Sequence, residues 1–179
     1  MGKIEVICGP MFSGKSEELL RRLKRADIAK RKYQLFKPAV DNRYSKDEVV
    51  SHSGQKMSCT PLVNGHEIVE RIDEDTKIVA IDEAQFFDSR LVVTALTLAD
   101  LGHRVVIAGL DMDSRGVPFG PMPQLLAVAE EVTKLTAVCE VCGEAATHSY
   151  RHEGCDTSQL LLGEKDSYEA RCRRHWRAA

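Results

Sequence analysis

Gly9-Pro10-Met11-Phe12-Ser13-Gly14-Lys15-Ser16, GPMFSGKS, fits the spacing G-x-x-x-x-G-K-S. Glycines let the backbone wrap closely, so successive N–H groups can face bound phosphates. The start of a following helix adds the positive end of its dipole. A lysine in the seventh position reaches the outer phosphates, and the hydroxyl after it can hold Mg²⁺. Context separates such a loop from a chance glycine turn. Lys3 to Cys8 (KIEVIC) reads as a short buried strand, and Lys15 to Lys32 as a helix. Leu19, Leu23 and Ala26 recur there at helical spacing, with Leu20 beside them. Glu17–Arg21 and Glu18–Arg22 are favourable pairs on the wet side. Tyr33 to Lys37 is a second strand, ended by Pro38. Strand, glycine loop, helix and strand make a βαβ unit with a right-handed crossover. The expected fold is α/β: a P-loop NTPase-type parallel sheet flanked by helices.

The stretch Ile78 to Phe87, IVAIDEAQFF, runs four apolar residues into two adjacent carboxylates. Lys77 to Asp82 reads as a third strand, apolar as expected for one buried on both faces. Asp82, at its end, stands where a metal-side carboxylate belongs in such nucleotide enzymes. Glu83 then needs another task. It could activate water, as in an ATPase, or a hydroxyl on a small molecule, as in a kinase. D-E-A-Q also looks like a helicase box, but too little chain follows Gly109 to build a second motor domain. A zinc-bearing nucleic-acid module would leave the phosphate loop unexplained. A free NTPase and a small-molecule kinase remain.

From Ala39 to Gly65 no period is clear, and a stretch this long is usually functional. Ser89 to Leu101 reads as a helix with Gly102 as its stop. His103 to Gly109 is a fourth strand, followed by a loop dense in Gly and Pro. A short helix near Gln124 to Glu130 precedes a strand over Glu131 to Val138. The character changes at Cys139. Cys139-Glu-Val-Cys142 and Cys172-Arg-Arg-His175 are two knuckles with the ligand set of a closed tetrahedral Zn²⁺ site. No coordination position is left open, so the expected metal is structural, one per chain, tying the base of a long loop. The expected division is residues 1–138 as an ATP-binding α/β domain and 139–179 as a zinc-bound lasso or lid, too small to stand without a staple. Cys8, Cys59 and Cys155 lack partners at ligand spacing and read as buried or incidental thiols.

Bulk numbers bound the partners. The chain has 179 residues, 43% hydrophobic and 29% charged, as in a soluble globular protein. Its 27 acids against 25 bases give a net charge of -2, with no nucleic-acid footprint. No apolar run approaches a membrane span. There is no secretory signal pattern, and Val6 breaks the myristoylation pattern. The expected location is cytoplasmic, where the six cysteines stay reduced.

The segments GPMFSGKSEELLRR, DNRY, SHSG, DEAQFF, GLDMD with PFG, KLTAVCEVCG and YEARCRRH, in that order, resemble the type II thymidine kinase family (thymidine kinase 1-like, bacterial form) across nearly the whole chain. The resemblance implies transfer of the ATP γ-phosphate to the 5′-hydroxyl of thymidine, with deoxyuridine as a second candidate acceptor, in DNA precursor salvage. It implies Glu83 as general base. It implies that Gly9, Pro10, Met11, Phe12, Ser13, Gly14, Lys15 and Ser16, with Asp82, Glu83, Ala84 and Gln85, bind ATP, and that Ser16 and Asp82 serve Mg²⁺. Asp41 and Arg43 match residues close to the transferred phosphate. Met11, Phe86, Leu110, Phe119 and Tyr168 match the nucleoside pocket, with Leu161 and Gly163 in the lasso segment. Cys139, Cys142, Cys172 and His175 match the zinc ligands. A homotetramer inhibited by thymidine triphosphate is also implied. Three positions depart from the usual pattern: Ser114 replaces an aromatic, Gly163-Glu164 replaces Gly-Gly, and His175 replaces a frequent Cys.

Overall fold

The computed structural model describes residues 2–41, 48–50, 56–152 and 167–177. The first strand, β1 (Lys3–Cys8), leads through the glycine loop into helix α1 (Lys15–Ile28). Strand β2 (Tyr33–Pro38) follows, then a short hairpin of β3 (Glu48–Val50) and β4 (Lys56–Ser58), and β5 (Thr60–Leu62). A one-turn helix α2 (Ile68–Arg71) leads to β6 (Ile78–Ile81). Helix α3 (Arg90–Asp100), β7 (Arg104–Gly109), α4 (Met122–Val128) and β8 (Glu131–Lys134) complete the main layer. Its sheet has six strands in the order β5-β2-β6-β7-β1-β8, with every neighbouring pair parallel.

Both faces of the sheet are covered, and side chains divide between them with the two-residue period of a strand. Ile4, Val6 and Cys8 of β1 join Val79, Ile81, Val105 and Ile107 against Leu91, Ala95 and Leu98 of α3 and Met122 and Leu125 of α4. Ile7, Ile78, Ala80, Val106 and Ala108 face the other way, onto Leu19, Leu20, Leu23 and Ala26 of α1. The helix after the glycine loop therefore owns one face.

A charged cluster interrupts the α1 face. Glu5 of β1 is buried, and Arg22 of α1 reaches it at 2.6 Å. Arg104 of β7 also reaches it at 2.7 Å, and Lys3 at 2.6 Å. Arg22 in turn donates to Thr133 of β8 at 2.8 Å and to Glu18 at 2.9 Å. This cluster locks α1 to three adjacent strands. Burial would push the Glu5 carboxyl up, but hydrogen bonds from Arg104, Lys3 and Arg22 outweigh it and hold it at about 2.

Four sequence expectations shift. The first helix stops at Ile28, because Lys30 turns left-handed (φ 52°) and Arg31 N–H bonds back to the Ala26 carbonyl. The region from 39 to 65 carries β5, an edge strand whose Pro61 has no N–H to donate; edge strands tolerate that, but it hides the strand in the sequence. The fourth helix lies two residues earlier than expected, at Met122–Val128. The strand expected over Glu131 to Val138 is two strands. Its second part, β9 (Ala137–Val138), leaves the main sheet and pairs with β10 (Ala145–Ala146). A further pair, β11 (His148–Arg151) with β12 (Tyr168–Arg171), and helix α5 (Arg173–Arg177) follow. Ala137, Cys139, Ala146 and Ala170 form a small core of their own, with Phe12 of the glycine loop and Cys172 packed against it.

Glu5→Gln leaves three cations around a neutral side chain and lowers stability at pH 7 by about 3 kcal/mol, read from urea unfolding. The native pKa of Glu5, about 2, lies below the unfolded value. Its contribution is therefore present above about pH 4.3 and is lost as pH falls toward 2. The gap between wild type and Glu5→Gln accordingly narrows as pH falls from about 4.3 toward 2.

Candidate active site and metal centre

The glycine loop carries three residues with left-handed or otherwise positive φ: Gly9 (147°), Phe12 (63°) and Gly14 (81°). A Cβ on Gly9 would lie 2.5 Å from the Leu135 carbonyl, so only glycine fits where β1 turns beside β8. Gly14 forms the N-terminal cap of α1. Lys15 Nζ donates to the Pro10 carbonyl at 2.7 Å, and Ser13 Oγ donates to the same oxygen at 2.8 Å. Lys15 thus folds back over its own loop.

Ser16 lies in the first turn of α1 and Asp82 directly follows β6, with β7 between β6 and β1. Ser16 Oγ nevertheless donates to Asp82 Oδ2 at 2.9 Å, and Glu83 N–H donates to Asp82 Oδ1 at 3.0 Å. Asp82 is buried. That burial, with the neighbouring Glu83 charge and the more distant Asp41, pushes its carboxyl up to about 7 against the two hydrogen bonds. Such a site is short of positive charge, and its hydroxyl and carboxylate suit a hard cation.

Glu83 itself is left-handed (φ 51°) and half-buried. Residues in that region cost energy and persist where the surroundings hold them. Its carboxylate accepts from Gln85 Nε2 at 2.6 Å. Ala84 packs in the core. Of the two aromatics that follow, Phe87 joins the core, whereas Phe86 is half-exposed and meets Phe119 edge-on at 5.6 Å. Leu110 N–H is held by Gln85 Oε1 at 3.0 Å. Met11 lies across the loop, half-exposed, and its N–H donates to Ser149 Oγ of β11 at 3.0 Å. Tyr168 is buried on β12, with the Arg151 guanidinium 5.2 Å above its ring. Asp41 is buried just past β2. Arg43, Leu161, Gly163, Glu164, Cys155 and His52 lie outside the described residues.

The cysteine and histidine knuckles converge. Ligand atoms of Cys139, Cys142, Cys172 and His175 all lie within 4.8 Å of one another. Cys142 Sγ and Cys172 Sγ are 3.9 Å apart, and His175 Nδ1 stands 3.3 Å from Cys172 Sγ and 3.7 Å from Cys139 Sγ. Tetrahedral Zn²⁺ with ordinary bond lengths sets neighbouring ligand atoms about 3.6–3.8 Å apart. The cluster fits. Burial would raise the Cys139 thiol, but backbone donors from Cys172, Val141 and Cys142 outweigh it and hold it at about 6, favouring the thiolate a metal needs. This Cys₃His group could hold a metal ion.

Two contacts were not legible from the sequence. Ser149 stands 138 residues from the Met11 it holds, with no motif around it. Trp176, next to His175, stacks on His148 at 4.5 Å and donates through Nε1 to the Ser114 carbonyl at 3.0 Å. Its ring fills the space beside Gly116, where a Cβ would come within 2.8 Å. Position 114 thus contributes a backbone acceptor to this contact.

The family model for thymidine kinase matches residues 2–176. The chain belongs to the thymidine kinase family. Among solved structures, domain III of the Thermotoga maritima replication initiation protein DnaA aligns at 16% identity with a TM-score of 0.45. That alignment covers 75% of this thymidine kinase family chain and 55% of the DnaA domain, so the chain spans little more than half of that structure's length. Among the described residues, no helix is long and apolar enough to cross a membrane.

Purified protein is expected to carry about one zinc per chain by elemental analysis. Cys142→Ser removes one of four ligands and lowers both zinc content and the thermal midpoint. A metal-free protein of undiminished stability would refute the site.

Proposed function

We propose that this protein transfers the γ-phosphate of ATP to the 5′-hydroxyl of thymidine, giving thymidine monophosphate. The observation that carries the reading is the pairing of Ser16 with Asp82, with Glu83 next in sequence, beside a glycine loop in a thymidine kinase family chain. Gly9 to Ser16 would cradle the donor phosphates with backbone N–H groups. Lys15 would leave the Pro10 carbonyl for the outer phosphates. Ser16 and Asp82 would hold the Mg²⁺ that accompanies ATP, and that cation would offset the burial and the Glu83 charge that push the Asp82 carboxyl up. Asp41 and Arg43 would stand close to the transferred phosphate.

Glu83 would accept the proton of the 5′-hydroxyl as the oxygen attacks the γ-phosphorus. The new P–O bond forms while the bond to the β-phosphate oxygen breaks, and ADP leaves with the electron pair. Phe86 and Phe119, meeting edge-on, would form one wall of the nucleoside pocket, with Met11, Leu110 and Tyr168 completing it and Leu161 and Gly163 covering it. Enclosure favours the sugar hydroxyl over water. Residues 1–138 would act as the ATP-binding domain and 139–179 as the lasso. Zinc on Cys139, Cys142, Cys172 and His175 would supply a fixed tetrahedral cross-link and no chemistry in the transfer. The wider proposal includes a cytoplasmic homotetramer in DNA precursor salvage, acceptance of deoxyuridine, and feedback inhibition by thymidine triphosphate.

The test is a product assay with ATP and Mg²⁺, with and without thymidine. Thymidine-dependent ADP, matched one-to-one by thymidine monophosphate, supports the kinase. Equal ADP formation without thymidine means a free NTPase and overturns the reading. Glu83→Gln should fold and bind ATP while kcat falls about 100-fold or more. Near-normal turnover would remove Glu83 as the base.

A further inference from the structure

Gln85 is buried at 2% exposure, and both ends of its amide are engaged. Its Oε1 accepts from Leu110 N–H at 3.0 Å, and its Nε2 donates to Glu83 Oε2 at 2.6 Å. The orientation is dictated rather than free. A backbone N–H can only donate, so the Leu110 end must be the amide oxygen and the Glu83 end must be the amino group. The surroundings are cut to this side chain and its backbone. A Cβ on Gly109 would lie 2.9 Å from Gln85 Oε1, and one on Gly120 would lie 2.3 Å from the Gln85 carbonyl. Two glycines on either side of the Leu110–Phe119 loop thus leave room for one glutamine.

We propose that Gln85 is a positioning residue, which fixes the Glu83 carboxylate in the rotation that accepts the hydroxyl proton and ties that carboxylate to the loop beginning at Leu110. This rests on the reading of Glu83 as general base. The last torsion of a glutamate side chain is broad and roughly two-fold. Unheld, the carboxylate turns through many orientations, and few of them align an oxygen with the attacking hydroxyl. A short amide hydrogen bond to Oε2 removes that freedom. The amide's other end is anchored to the backbone that leads to Phe119. The proton acceptor and the wall of the nucleoside pocket are therefore set as one unit. Gln85 acts through Glu83 and need not touch either substrate.

The experiment uses the full chain and steady-state kinetics with ATP and thymidine. Gln85→Glu keeps the size and the acceptor for Leu110 N–H but sets a second carboxylate against Glu83 in place of the amide donor. It is expected to lower kcat by about 10- to 100-fold while KM for thymidine and for ATP stays within about threefold. Gln85→Met removes both ends, so it lowers kcat comparably and also raises the thymidine KM as the Leu110 loop is released. In a Glu83→Gln background, Gln85→Met should reduce the residual rate by less than about twofold, because there is no base left to position. Circular dichroism and thermal midpoints check folding; should Gln85→Met fail to fold, Gln85→Glu alone carries the test. A kcat within twofold of wild type for Gln85→Glu (about the scatter of such comparisons) overturns the inference, as does an equal loss from Gln85→Met in both backgrounds. An inactive Glu83→Gln beside a fully active Gln85→Glu overturns it alone. An active Glu83→Gln removes the base reading first, and this inference with it.

Discussion

The hydrogen bond from Ser16 to Asp82 spans a strand that belongs to neither residue. For it to form, β1, β7 and β6 must run parallel in tight register, so that the loop after β1 and the acid after β6 emerge at the same edge. The pairing of Cys8 with Gly109 and of Ile81 with Ile107 sets that edge to within a residue. The hydrophobic faces hold the strands together but would tolerate small slips between layers. The Glu5 cluster does not. By joining α1 to β1, β7 and β8 through directional ion pairs, it fixes where α1 begins, and hence where Ser16 stands. A buried charge cluster is weak evidence for stability in general. Here its geometric consequence is the more direct one.

Much of this architecture was legible because it is written in short-range patterns. The glycine loop, the apolar run into Asp82 and the two metal knuckles are local spacings with local causes, and β1, α1, β6, α3 and β7 follow from periodicity. What escaped was non-local or locally atypical. Strand β5 contains Pro61 and has only three residues, so nothing nearby announces that it extends the main sheet. The split between β8 and β9 depends on what each half pairs with, not on its own composition. Lys30 takes a left-handed turn where glycine would have signalled the helix end. At the candidate site, the motifs name residues but not the contacts between them. That Gln85 faces Glu83, and that Phe86 rather than Phe87 faces Phe119, are questions of side-chain direction that a linear motif leaves open.

The small C-terminal layer is not an independent appendage in its contacts. Phe12, in the middle of the phosphate loop, packs against its core, and Ser149 takes the Met11 amide. Both contacts come from the loop that would hold ATP, and both end on elements at the base of the segment between β11 and β12. The glycine loop and the C-terminal layer are thus in direct contact. Rearrangement of the loop around a nucleotide would be felt at β11, and any movement of β11 would alter the set of loop amides presented to phosphate.

Trp176 is the single tryptophan of the chain. It follows the ligand His175 directly, stacks on His148 and hydrogen-bonds the Ser114 carbonyl in the loop that runs toward Phe119. The indole therefore sits between the Cys₃His cluster and one wall of the proposed pocket, and no other indole contributes to its emission. The protein carries its own optical probe. The polarity around one ring registers whether α5 remains seated on that loop, so the coupling between the two regions can be followed in unlabelled protein.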